Sequence, residues 1–189
     1  MAAEFAKRPH SGASRRSSVI ASLARRCCSL AALLLLALAI GFAPLGVAAA
    51  SSYLEKIDYT LTNQSNADFH GQDLEGSSFA GAEARGADFS GADLQGSILT
   101  QAAFAGANFR GADLSNALMD RADFGGSDLR DALLSGVIAT GSSFADAQIE
   151  GADFSEALLD RADQRQLCRR ASGINPRSGV ATRDSLDCA

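Results

Sequence analysis

The residues with chemical capacity are few and regularly spaced. Carboxylates recur every 20 residues, as Asp68, Asp88 and Asp128 in one series and Asp73, Asp93, Asp113 and Asp153 in another. If the fold stacks them, each series becomes a ladder of like charges close enough to repel and to attract a divalent cation. The same spacing also fits Asp at a recurring corner, where a short carboxylate side chain bonds nearby backbone amides. The corner reading is adopted, and no metal and no cofactor is expected. Beyond residue 50 the one histidine is His70, and a lone outward His reads as a solvated surface residue rather than a base. No nucleophile-base pair, phosphate loop or dinucleotide fingerprint accompanies it. The chain is therefore not expected to be an enzyme.

The element that must position these residues is a five-residue phrase running without a gap from Ala67 to Gln166. In register it begins ADFHG QDLEG SSFAG AEARG ADFSG ADLQG, and its third letter is Phe, Leu, Ile or Met everywhere except Ala84, Ala139 and Gln164. Eight of the ten Phe occupy that third position, the first letter is nearly always Ala or Ser, and the fifth is most often Gly. An α-helix advances about 100° per residue, so a step of five would spiral the apolar set around the whole helix. A flat strand alternates faces with period 2, so an odd step would alternate them too. A coil solves the problem if each block is a short extended piece followed by a corner, with first and third letters inward. Gly suits such a corner because it adopts positive φ without strain.

A second period counts the sides. The second letter is usually polar, but Ile98, Leu118, Ile138 and Leu158 are large, apolar and 20 apart. Leu133 is the remaining exception. Twenty residues are four blocks, which predicts a square solenoid of about five coils between residues 67 and 166. Its inward columns are Phe69-Phe89-Phe109-Leu129-Ile149, Leu74-Leu94-Leu114-Leu134-Phe154, Phe79-Leu99-Met119-Ala139-Leu159 and Ala84-Phe104-Phe124-Phe144-Gln164. Val137, the one large apolar first letter, shares its block with the small Ala139, which suggests local volume compensation.

The repeat resembles the pentapeptide-repeat family, whose motif is Ala-(Asp/Asn)-Leu/Phe-X-X. The resemblance implies an all-β solenoid, a right-handed quadrilateral β-helix, with a short disulfide-bearing, partly helical C-terminal cap.

Residues 1–50 read as a signal peptide. Lys7, Arg8, Arg15, Arg16, Arg25 and Arg26 precede the apolar run Leu30 to Leu45, and Ala48-Ala49-Ala50 offers a cleavage site between Ala50 and Ser51. The alternative is a retained anchor, against which stand the shortness of the run and the presence of Gly41 and Pro44. Arg pairs leave both the general and the twin-arginine export routes open. Residues 51–66 are expected to cap the first coil, with Tyr59 in phase with the third letter. Residues 167–189 are expected to form the C-terminal cap, with helical pieces around Ser172 to Pro176 and Thr182 as N-cap. Cys168 and Cys188 are the two cysteines left after the leader, so in an exported chain they are expected to pair. The entry YTLTNQSNADFHGQDLEG and the tail LCRRASGINPRSGVATRDSLDC resemble lumenal pentapeptide-repeat proteins of cyanobacteria and chloroplasts, which implies the thylakoid lumen, or else the periplasm.

Losing the leader removes six of 17 basic and one of 22 acidic residues, leaving 11 and 21, a formal charge of −10. That argues against nucleic acid, which needs a basic footprint. Membrane contact is expected only through the leader before cleavage. An exposed stripe of Ile98, Leu118, Ile138 and Leu158, widened by Leu133, predicts an unidentified protein partner, self-association, or cover from the chain's own tail. The expected function is a non-catalytic interaction or scaffold module. The alternative is an acidic DNA mimic that inhibits a topoisomerase.

Overall fold

The computed structural model describes residues 56–188; the signal segment 1–50, its cleavage site at Ala50 and Ser51, and the start of the N-terminal cap lie outside the described residues. Parallel β-bridges join each second letter to the residue 20 positions on, from Asp58↔Ser78 to Ile138↔Leu158. These bridges define four columns and hence four faces. They are called here the Asp68, Asp73, Ile98 and Ala103 faces.

Every backbone amide of a consensus block has an assigned role, as a buried ladder requires. In the first coil, the third-letter amide of Phe69 donates to Asp88 O at 2.7 Å, and the fifth-letter amide of Gly71 to Ser90 O at 2.9 Å. The second-letter amide of Asp88 donates back to Ala67 O at 2.9 Å, while the first-letter amide of Gln72 closes a local turn on Phe69 O at 3.1 Å. Only the fourth-letter amide lacks a backbone partner. The second-letter side chain supplies one: His70 N donates to Asp68 Oδ1 at 3.0 Å, and the same i to i+2 bond recurs at Asp88, Asp113, Asp128 and Asp153. The Asp series therefore performs corner work. The fifth residue carries positive φ, +61° at Gly96 for example, and the non-Gly residues Asn116 and Arg121 adopt it at +60° and +56°, a conformation that strains an L residue by roughly 1–2 kcal/mol.

Inward letters stack as like on like. Phe69, Phe89 and Phe109 form parallel pairs with centroids 4.8 Å apart, and Phe104, Phe124 and Phe144 continue at 5.2 and 5.5 Å. Ala and Ser first letters fill the space beside the rings, and Val137 and Ala139 are both buried in one block.

Both ends depart from the expected limits. The ladder starts at Asp58, inside the segment expected to be a cap. Tyr59 stacks on Phe79 at 4.7 Å and meets Phe69 edge-on at 5.3 Å, so this segment is coil and lid at once. At the other end the last bridge is at Leu158, and α1 (Arg161–Cys168) replaces the block expected to run to Gln166. ADQRQ offers Gln164 at its core position and has no following coil to pair with, whereas a helix satisfies its own backbone. Gln164 Nε2 instead donates to Leu186 O at 2.8 Å. A second short helix, α2 (Thr182–Ser185), follows the antiparallel bridge Ile174↔Ala181. That bridge brings the chain into the helix at Ala181, so Thr182 is its first residue and not the N-cap. Leu167 and Leu186 are buried over the last coil, and Cys168 and Cys188 are joined in a disulfide.

Candidate interaction face

The Ile98 face breaks the rule of the corner. At Ile98, Leu118 and Ile138 an aliphatic side chain replaces the Asp that would accept the fourth-letter amide. Among the described residues, no acceptor meets the amides of Thr100, Asp120 or Thr140. A hydrogen bond of this kind contributes about 0.5–1.5 kcal/mol. The chain forgoes it in consecutive rows of one face and exposes an aliphatic group instead. Ile98 and Leu118 are each 39% exposed and Leu158 is 57% exposed; Ile138 is half-buried between its neighbours.

Other exposed apolar groups gather on the same side. Of the six large apolar side chains exposed among the described residues, Ile57, Leu61, Ile98, Leu118 and Leu158 belong to blocks of this face, and Ile174 alone does not. Row two carries only Ser78, Ala80 and Gly81. A notch therefore opens beneath Leu61, floored by Ala80 and Gly81 and bounded by Thr100, Gln101 and Arg121.

The tail does not cover this face. Residues 173–181 lie along the Asp73 face, where Asn175 Nδ2 donates to the carbonyls of Asp131, Ala132 and Gly151 at 3.2, 3.1 and 2.8 Å. Arg177 Nη2 donates to Asp113 Oδ2 at 2.8 Å, and Ser178 bonds Asp153. Leu133 sits in the column between those two carboxylates and is itself half-buried. It belongs beside the tail and does not widen the stripe. The tail also buries Asp113 to 7% and Asp153 to 3% exposure, which interrupts the acidic ladder of that face. Burial pushes the Asp153 carboxyl up, but bonds from Ser155 and Ser178 more than offset this and hold it below the usual value. Arg130 does the same for Asp128 through a bidentate contact.

Stacking by 20 also assembles a small polar cluster on the Asp68 face. His70 Nδ1 lies 2.9 Å from Ser90 Oγ, whose hydroxyl donates to Asp88 Oδ1 at 2.5 Å. The serine proton is committed to the carboxylate, so the order is not that of a serine nucleophile raised by a histidine base. The adjacent amides of Gly91 and Ala92 are consumed by Arg110 O and Phe89 O, which leaves neither to stabilise an oxyanion there. The pairing of His70 with Ser90 was readable from their spacing, although the histidine taken singly concealed it. Among the described residues no group of three or more His, Cys, Asp or Glu could hold a metal ion, and no helix is long and apolar enough to cross a membrane.

The sequence pattern of the family described as Pentapeptide repeats matches in eight copies, over residues 65–101, 97–136 and 127–163. A solved pentapeptide repeat protein from the Arabidopsis thaliana thylakoid lumen is 36% identical, with a TM-score of 0.68 over 69% of this chain and 90% of its own. HetL, a pentapeptide repeat protein involved in heterocyst differentiation regulation from Nostoc sp. strain PCC 7120, is 21% identical over 56% of this chain and 63% of its own, with a TM-score of 0.34. Trypsin-treated QnrB1, a plasmid-mediated fluoroquinolone resistance protein, is 16% identical over 60% of this chain and 95% of its own, with a TM-score of 0.20. At such scores the last two likenesses carry no inference about this chain. No curated protein matches the sequence.

Proposed function

Because this chain belongs to the pentapeptide-repeat family, whose fold is a right-handed quadrilateral β-helix, we propose that it is a non-catalytic interaction module that meets a protein partner through the Ile98 face. The observation that carries this reading is the run of rows in which an exposed aliphatic side chain replaces the corner bond. Nothing in the packing of the coil demands that exchange, since the neighbouring columns fold with Asp in the same position.

The mature protein begins at Ser51 after cleavage behind Ala50. It comprises an N-terminal segment that both joins the ladder and covers the first coil, about five coils, and a disulfide-bearing cap that begins with α1 at Arg161. Its place is the thylakoid lumen or the periplasm, and it touches the membrane only through its leader. Support for this address comes from the basic-apolar-small order of the leader and from the likeness to the Arabidopsis lumen protein.

The test is recovery of partners from lumenal or periplasmic extract on the immobilised oxidised protein. Leu118→Asp with Ile138→Asp should remove a specific partner while leaving the thermal transition in place. Equal recovery by the folded double variant would sink the proposal.

A further inference from the structure

We propose that the Ile98 face receives an amphipathic α-helix with an acidic flank, supplied by another protein and laid along the solenoid axis. This rests on the reading of the face as a contact surface and adds the chemistry of the occupant.

The first argument is pitch. Rows of a parallel ladder are ~4.8 Å apart, so Ile98, Leu118, Ile138 and Leu158 stand at about 0, 4.8, 9.6 and 14.4 Å. Helix residues i, i+3, i+7 and i+10 rise by about 0, 4.5, 10.5 and 15 Å. The two series agree to within about 1 Å over four contacts, so one heptad-type apolar seam meets all four rows. An extended peptide has no comparable site, because the second-letter amides from Ile98 to Leu158 and the third-letter amides of Leu99, Met119 and Ala139 are already spent in the ladder.

Charge supplies the second argument. The edge toward the Ala103 face carries Arg121 and Arg161, two rows apart, and among the described residues neither has an ion-pair partner. The carboxylates beside them are turned along the ladder. Asp120 accepts from the Thr140 hydroxyl, and Asp160 from Gly141 N at 2.8 Å. The unpaired amides of Thr100, Asp120 and Thr140 add a row of donors within the same blocks. Both carboxylates keep their charge, so the strip is balanced overall. The selection of a carboxylate flank rests on the two unpaired arginines and the row of amide donors, and carboxylates about two helical turns apart match the spacing of the arginines.

The tail is committed to the Asp73 face through Asn175 and Arg177. A second copy is the occupant that the sedimentation measurement below decides on.

The experiment uses the full oxidised protein and two fluorescein-labelled synthetic 18-residue helices with the same leucine seam, one flanked by Glu and the other by Lys. Fluorescence anisotropy should show the Glu helix binding at least tenfold more tightly. Leu118→Asn with Ile138→Asn should abolish binding of both. These substitutions restore the consensus corner residue and so protect the fold. Arg121→Glu with Arg161→Glu should reverse the preference toward the Lys helix. Equal binding of the two peptides, or an unchanged preference in the arginine variant, overturns the proposal. So does concentration-dependent self-association in sedimentation that the Asn variant removes, because a second copy is then the occupant. If a natural partner is lost from the leucine variant but kept by the arginine variant, the contact face stands and the acidic helix falls.

Discussion

Arg177 Nη2 reaches Asp113 Oδ2 at 2.8 Å across 64 residues of chain, and Asn175, two residues earlier, shares the two hydrogens of Nδ2 among three backbone carbonyls of the coils below it. This pair of contacts holds the tail to one face. Arg177 is half exposed, so Arg177→Ala should lower stability by only about 1 kcal/mol. Asn175→Ala takes the Nδ2 donor from the carbonyls of Asp131 and Gly151, while Ala132 O keeps its bond from Asp153 N, and should cost about 2–3 kcal/mol. Urea titration of the two variants, with amide exchange across residues 171–186, reads the difference.

The Cys168–Cys188 bridge closes a loop with a sequence separation of 20. Replacing both cysteines by Ser should lower stability by about 3 kcal/mol. Exchange should rise first in α1 and α2, while the Phe69 to Phe109 coils stay protected, because each coil depends on its neighbours and not on the distant end. Uniform loss of protection would contradict this.

Substituting Leu118 by Asn should be neutral or stabilising by about 0.5–1 kcal/mol, since the new side-chain Oδ1 accepts from the amide of Asp120. A shift in urea midpoint with unchanged slope is the expected readout. A large destabilisation would mean that the stripe serves the fold.

Volume is shared within the block that holds Val137 and Ala139, both buried. Ala139→Leu alone should cost about 1–3 kcal/mol through overpacking. Val137→Ala in the same chain should recover most of that loss. Additive costs in the double variant, measured as a double-mutant cycle, would show that the two positions do not exchange space.

Asp88, Asp128 and Asp153 are all held below the ordinary carboxylate value of 3.8, through Ser90, through Arg130, and through Ser155 and Ser178 against burial. A depressed folded-state pKa contributes stability above the unfolded value, and this stability is lost as pH falls through the lower folded value. Stability should therefore be level at neutral pH and decline below about pH 4. Asp128→Asn with Asp153→Asn should make that decline shallower, as followed by thermal midpoints between pH 7 and pH 2.5.

The regular part of the molecule was legible because each block answers only to its own corner and to the blocks 20 residues away. Phe89 could be placed between Phe69 and Phe109 from spacing, and Asp88 assigned to a corner amide from its residue type. Asn175 had no such periodic signal. Its role depends on carbonyls of residues 131, 132 and 151, and nothing in Ser-Gly-Ile-Asn-Pro names them. Leu133 was misjudged for the same reason, since its exposure depends on where the tail lies.

The sequence alone determined the coil, its four sides, the inward columns and the apolar departures on one of them, because those follow from short periods and nearest-neighbour stacking. Tertiary structure decided which side stays open. The final block became a helix for want of a coil beneath it, and the tail settled on the Asp73 face, where Asn175 and Arg177 found acceptors. Among the described residues, the Ile98 stripe remained exposed because the tail was held elsewhere by contacts that no local pattern encodes.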